Sequence, residues 1–217
     1  MIVCQDDVVE DLWSRAVSLL GGDQRVARAA ALELTACYAQ PHRRYHTGEH
    51  IQAVLRDSAL LADDLHLPLV ECAVLTLAAC AHDVVYQGQP GHDERASAAW
   101  ARDWLVRAGV DEAQVVRVEA LVLATLAHTA PSGDLTALAL LDADLAILGA
   151  EQAVYDRYRV AVREEYAAFD DEAWRTGRTA VLSGLLARVP LYATAAARER
   201  WETPAKANIA GELASLE

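Results

Sequence analysis

Two strings carry the residues that could do chemistry in this chain, Tyr45-His46-Thr47-Gly48-Glu49-His50 and Ala81-His82-Asp83. They place three histidines and a carboxylate within reach of each other in sequence, and Leu141-Asp142-Ala143-Asp144-Leu145 adds an acidic pair downstream. Imidazole and carboxylate are the ligands a divalent metal takes, and such a site implies hydrolysis or redox chemistry. His46 and His50 are four apart, and Thr47 between them suits a helix N-cap. His50 then falls in the first helical turn as a rigid ligand, while His46 stays on the preceding loop as a reachable acid or base.

His82-Asp83 closes an apolar stretch, Val74-Leu-Thr-Leu-Ala-Ala-Cys-Ala81, where burial is expected. A bare charge there costs several kcal/mol, so the pair needs a partner, and a metal is the simplest one. Asp142 and Asp144 are flanked by Leu138-Ala-Leu-Leu141 and Leu145-Ala-Ile-Leu148, which predicts that at least one of them is buried.

The elements that must position these residues read as helices almost throughout. Apolar spacing over 8–20 stops at Gly21-Gly22, and Asp23 caps a helix to about Gln40, ended by Pro41. Thr47 opens a helix to about Asp64, and Pro68 opens another to about His82. Asp93 or Glu94 starts a helix that Gly109 closes; Asp111 caps one reaching His128. A helix after Asp134 ends near Gly149, two more cover about 151–168 and 171–188, and a last one starts at Pro204. No segment alternates like a strand, and no repeat or linker interrupts the pattern. The expectation is one all-α domain, 1–217, of roughly eight to ten helices.

Composition narrows the function classes. A length of 217 residues suffices for a substantial core, and no apolar run approaches the roughly 20 residues of a membrane span. The start, Met1-Ile-Val-Cys-Gln-Asp-Asp, lacks the pattern of a signal peptide, so a cytoplasmic protein is expected. Cys4, Cys37, Cys72 and Cys80 form no Cys-x-x-Cys pair and read as small buried hydrophobes. A net charge of −13 argues against a nucleic-acid polymer as partner.

Taken in order, Tyr45-His46-x3-His50, His82-Asp83 and the Asp142-Ala-Asp144 string resemble the HD-domain superfamily of metal-dependent phosphohydrolases. The wider chain is similar to one branch of it, the predicted metal-dependent HD phosphohydrolases, through Arg44-Tyr-His-Thr-Gly-Glu-His-Ile51, His82-Asp-Val-Val-Tyr86, Glu94-Arg-Ala-Ser-Ala98, Asp142 to Gly149, Val162-Arg-Glu-Glu-Tyr166 and Trp201 to Ala210. The likeness covers most of 40–215, with a motif core at about 40–166. It implies an HD-like helical bundle and a metal held by His50, His82, Asp83 and Asp144, with Asp142 as the alternative to Asp144. It also implies His46 as the acid of the leaving group, although Thr47 stands where relatives of the phosphodiesterase kind keep an Asn. The metal implied is one divalent ion among Mn, Mg, Co, Ni, Fe and Zn, and the substrate a small phosphorylated metabolite or nucleotide.

Other residues fill out the expected site. Glu94 either orients the attacking water or caps its own helix; His128 and His92 are candidates for a second ion or, for His128, a phosphate contact. Arg43 and Arg44 adjoin His46, and Tyr155, Arg159, Arg163 and Tyr166 share one helix face. Arg44, Tyr45, His128, Arg159 and Arg163 are therefore the expected substrate contacts. Trp100, Trp104 and Trp174 read as core or groove residues. Two other functions fit the same motifs, an HD-type di-iron oxygenase and a module that senses a nucleotide without turnover. Oligomeric state is open, a homo-oligomer included.

Overall fold

A computed structural model describes residues 5–216; Cys4 and the start of the N-terminal segment read above lie outside them. Ten helices and no strand are present among the described residues, which meets the all-α expectation. Among the described residues, no helix is long and apolar enough to cross a membrane. The chain divides into two compact units, Met1–Ala143 and Asp144–Glu217.

The first unit holds α1 (Gln5–Leu19), α2 (Gln24–Tyr38), α3 (Gly48–Asp64), α4 (Leu69–Ala81), α5 (Asp93–Arg107), α6 (Glu112–Ala124) and α7 (Leu135–Asp144), whose last residue opens the second unit. Aspartates start several helices as expected: Asp23 accepts from the N–H groups of Arg25 and Val26, and Asp111 from that of Ala113. Gly21 and Gly109, at φ +80° and +76°, end α1 and α5 in the left-handed conformation that only glycine adopts without strain. α4 is the hub, packed against α1, α3, α5 and α6. From Ala73 to Ala81 all its residues except Thr76 are buried. Each buried Val or Leu there contributes about 1.5–3 kcal/mol. That burial fixes the direction in which α4 delivers His82.

In the second unit a 3-10 segment (Leu145–Gly149) leads to α8 (Gln152–Glu165) and α9 (Asp171–Leu186). A short turn (Ala195–Ala197) and a π-turn (Arg198–Glu202) then run into α10 (Thr203–Leu216). α9 and the 3-10 segment both pack on α10. Between α8, α9 and α10, Arg178 donates from Nε and Nη2 to the two carboxylate oxygens of Glu212 at 2.8 and 3.1 Å. Tyr155 donates its hydroxyl to the same carboxylate at 2.6 Å, and Tyr158 accepts from Arg178 at 3.2 Å.

Several helix ends differ from the sequence expectation. α6 stops at Ala124 instead of reaching His128, because Thr125 and Leu126 switch to i→i−3 bonds and the Thr125 hydroxyl also takes the Val122 carbonyl. His128 follows at φ +46°, outside any helix. α7 gives way at Asp144 to the 3-10 turn instead of continuing to Gly149. There Tyr192 donates to the Leu145 carbonyl and Asn208 to those of Leu148 and Ala150. The side chains replace the bonds a longer α-helix would have made. α2, α8 and α9 end two or three residues early, at Tyr38, Glu165 and Leu186.

Candidate metal centre

His82 sits at the C-cap of α4, still in helical conformation and 1% exposed. Its Nδ1 lies 2.8 Å from the Ala79 carbonyl oxygen. A carbonyl only accepts, so Nδ1 carries the proton and, in the neutral ring, Nε2 keeps its lone pair. That Nε2 faces Asp83 Oδ2 at 3.1 Å and His50 Nε2 at 3.4 Å, and His50 Nε2 is 3.4 Å from the same carboxylate oxygen. A nitrogen lone pair and a carboxylate oxygen are both acceptors. They stay this close only with positive charge beside them, either a proton on His82 or a cation.

The spacing suits a cation. Ligand atoms about 2.1 Å from one ion lie roughly 3.4 Å apart in tetrahedral and roughly 3.0 Å apart in octahedral arrangement. Among the described residues, His50, His82 and Asp83 are the one group of histidine, cysteine and acidic side chains close enough to share an ion. The side chains of His50 and His82 are 3% and 1% exposed, whereas that of Asp83 is 21% exposed. The triangle is therefore closed by helix on the histidine side and open on the Asp83 side. Burial pushes the Asp83 carboxyl up, but the charge of His82, the hydrogen bonds of His50 and His82, and the charge of His46 outweigh it and hold it well below the usual carboxylate range.

The three donors come from two helix ends. His50 lies in the first turn of α3, which packs on α4. Thr47 holds the N-cap position with extended backbone, yet its side chain makes no capping bond, so the expected cap is present in place and absent in chemistry. The segment after Asp83 is pinned from outside. Ser97 of α5 accepts from the Val85 N–H at 3.0 Å, and Asp93 accepts from the N–H groups of Gln87 and Gln89.

His46 stands beside the triangle. Its ring stacks on Tyr86 at 4.2 Å and meets the His50 ring edge-on at 5.5 Å. Tyr45 borders both, 4.9 Å from His46 and 4.7 Å from His50. These two expected residues are thus brought to the cluster. Arg44 is exposed and bonds the Pro41 and Arg43 carbonyls of its own loop.

Glu94, in the first turn of α5, accepts from the Gly91 N–H of the preceding loop at 2.6 Å, while the N-cap position, His92, makes no side-chain capping bond. His92 is exposed and pairs with Asp93. Neither residue, nor His128, belongs to the converging group. Asp142 is buried at 3% exposure, as expected for one of the two aspartates, and Asp144 is half-buried. Arg159 and Arg163 lie in the second unit. Arg159 bonds Ser215 and faces Asp156 and Glu212; Arg163 bonds the Tyr166 and Phe169 carbonyls and Asp171. Tyr155 is buried and Tyr166 half-buried there. Trp100 is half-buried beside the fully buried Trp13, Trp104 is half-buried beside Trp100, and Trp174 is half-buried against Tyr166.

The sequence reading missed Tyr38, Tyr86 and the burial of Arg43. Arg43 reads only as a cation adjoining His46, but it is 3% exposed and bonds main-chain carbonyls of the site. It lies in a loop, where helical periodicity carries no signal. Comparison with protein-family models, with curated proteins and with solved structures finds no match.

Proposed function

We propose that this protein is a metal-dependent phosphohydrolase, in which His50, His82 and Asp83 hold a divalent ion and His46 serves as the proton donor. The observation that carries the reading is the convergence of His50, His82 and Asp83, with Nδ1 of His82 on the Ala79 carbonyl so that Nε2 is the atom that faces Asp83 and His50. The resemblance to HD-domain phosphohydrolases implies these three residues and a fourth, Asp144, which does not belong to the converging group. When bound, a divalent ion supplies Lewis acidity toward a phosphoryl oxygen and acidifies water.

The chain's own residues do the rest. His50 and His82, fixed by buried helix ends, hold the donor atoms in place without reorganisation. Asp83 keeps its charge and leaves the open side of the cluster toward solvent. His46, held face-on by Tyr86, carries a proton to the leaving oxygen of an ester or anhydride. Tyr45 walls the approach beside both histidines.

Two imidazoles with one carboxylate also form the ligand set of mononuclear non-haem iron oxygenases, a second reading distinct from the di-iron one, which needs more ligands than the three that converge among the described residues. The test is a screen of phosphorylated metabolites against protein loaded in turn with Mn²⁺, Co²⁺, Ni²⁺, Mg²⁺, Zn²⁺ and Fe²⁺, with His82→Ala as control. The expected result is phosphate release by the native protein and loss of both bound metal and activity in His82→Ala. Native protein that takes up none of these ions overturns the reading. Iron-specific oxygen uptake without phosphate release moves it to the oxygenase.

A further inference from the structure

Arg43 raises a question that the metal centre alone leaves unanswered. A guanidinium at 3% exposure is costly unless every donor is used, and this one donates to neutral oxygens in place of a carboxylate. Nη1 donates to the His46 carbonyl at 3.0 Å and to the Asp83 carbonyl at 2.7 Å. Nη2 donates to the Val84 carbonyl at 2.8 Å, and Nε to the Gln40 side chain at 3.3 Å. Tyr38 and Tyr86 flank the guanidinium, with ring centroids 4.9 and 5.6 Å from Cζ.

These contacts have a common geometry. His46 and Asp83 belong to loops that no helix joins, and a single nitrogen of Arg43 bonds both backbones. Each flanking ring serves the site as well. Tyr86 stacks on His46. Tyr38 accepts from the Asp83 N–H at 3.2 Å and donates to the Cys80 carbonyl at 3.0 Å. Its burial and the nearby Asp83 charge push the Tyr38 hydroxyl well up, so it remains a neutral donor. His50 and His82, by contrast, are fixed by α3 and α4 without help from Arg43.

We infer that Arg43 is a positioning residue of the metal centre, whose guanidinium sets the distance between the proton-carrying His46 and the ligand Asp83. This rests on the proposed function above. Lysine cannot replace it, because one ammonium lacks the planar fork that reaches three carbonyls at once. Loosening the fork frees His46 and Asp83 relative to each other while leaving the two histidine ligands in place. The proton-donation step should therefore suffer more than metal uptake or substrate binding.

The experiment compares native protein, Arg43→Lys, Arg43→Ala and, as a control on the exposed face of α3, Arg56→Lys. Three measurements are made: ¹⁵N-imidazole spectra without metal, Co²⁺ titration followed by visible absorption, and steady-state phosphate release. In Arg43→Lys we expect the His46 and His82 ring signals to shift while those of His66 and His92 stay. Co²⁺ affinity should fall about tenfold, in the range seen when a group supporting a ligand is removed. kcat should fall roughly a hundredfold with KM within about threefold, as misplacement of a reacting group predicts. Added guanidinium ion should restore part of the kcat of Arg43→Ala.

Unshifted His46 and His82 signals in Arg43→Lys overturn the inference, whatever happens to melting temperature. A lower melting temperature with unchanged rings, Co²⁺ spectrum and kcat-to-KM pattern shows a structural residue only and also overturns it. Native protein that binds Co²⁺ but releases no phosphate defeats the hydrolase reading, and the ring signals and Co²⁺ titration then decide Arg43. Native protein that takes no Co²⁺ defeats the metal centre, and the ring signals decide alone.

Discussion

At the scale of single residues, contacts with main-chain carbonyls and neighbouring rings set which atoms of the cluster face one another. His82 Nδ1 donates to the Ala79 carbonyl, and this turns Nε2 toward Asp83 and His50. His46 is held differently, by the face of Tyr86 and by its own main chain. On the proposed function, removing the ring in Tyr86→Ala takes away an aromatic contact worth about 0.5–1.5 kcal/mol, so turnover should fall roughly two- to twelvefold with metal content unchanged. Metal analysis alongside kcat checks it; equal losses of bound metal and turnover would show that Tyr86 holds the ligands and not the donor. Residue types and order made His46, His50, His82 and Asp83 legible in the sequence. The His82 tautomer was not legible, because it depends on a carbonyl three residues back that any sequence supplies.

At the scale of elements, helix starts were readable and helix ends less so. An N-terminus is marked by a side chain that can accept, as at Asp23 and Asp111, and that information is local. The end of α7 is set by partners distant in sequence: Tyr192 and Asn208 hold the 3-10 turn after Asp144. Gly149 shows the same dependence. A Cβ there would meet the Trp201 Cβ at 2.5 Å and Trp201 backbone at 2.8 Å, too close for a side-chain rotation to relieve. Gly149 and Trp201 thus have a packing reason that no sequence periodicity reveals. Gly149→Ala should cost about 1–3 kcal/mol by forcing backbone apart. Gly177→Ala, in the middle of α9 with open space around it, should instead stabilise by about 0.5–1 kcal/mol. Urea unfolding of the two variants tests the contrast, and a neutral Gly149→Ala would refute the close approach.

At the scale of the whole molecule, a chain of net charge −13 holds some of its carboxylates in ion pairs with arginine. Asp134 is held low by its bond to Arg117, against burial. For Glu212, burial pushes up, but Arg178 and Tyr155 outweigh it and the carboxyl is lowered. A lowered carboxyl stabilises the fold fully above its unfolded value, near 4–4.5, and loses that contribution as pH falls through the folded value. At the alkaline end the order reverses. Burial raises the Tyr38 and Tyr158 hydroxyls, so their contribution holds below about 10 and is lost as pH climbs through the raised values. Stability should therefore form a plateau across neutral pH with a fall on each side. Glu212→Gln isolates one member: Arg178, 8% exposed, would keep a neutral partner for a buried charge, and the loss should reach several kcal/mol at pH 7. Because native Glu212 is itself neutralised in acid, the gap in melting temperature between native and Glu212→Gln protein should narrow as pH drops from 7 toward 3. A gap that stays constant over that range would mean that the carboxylate charge of Glu212 contributes nothing to the second unit.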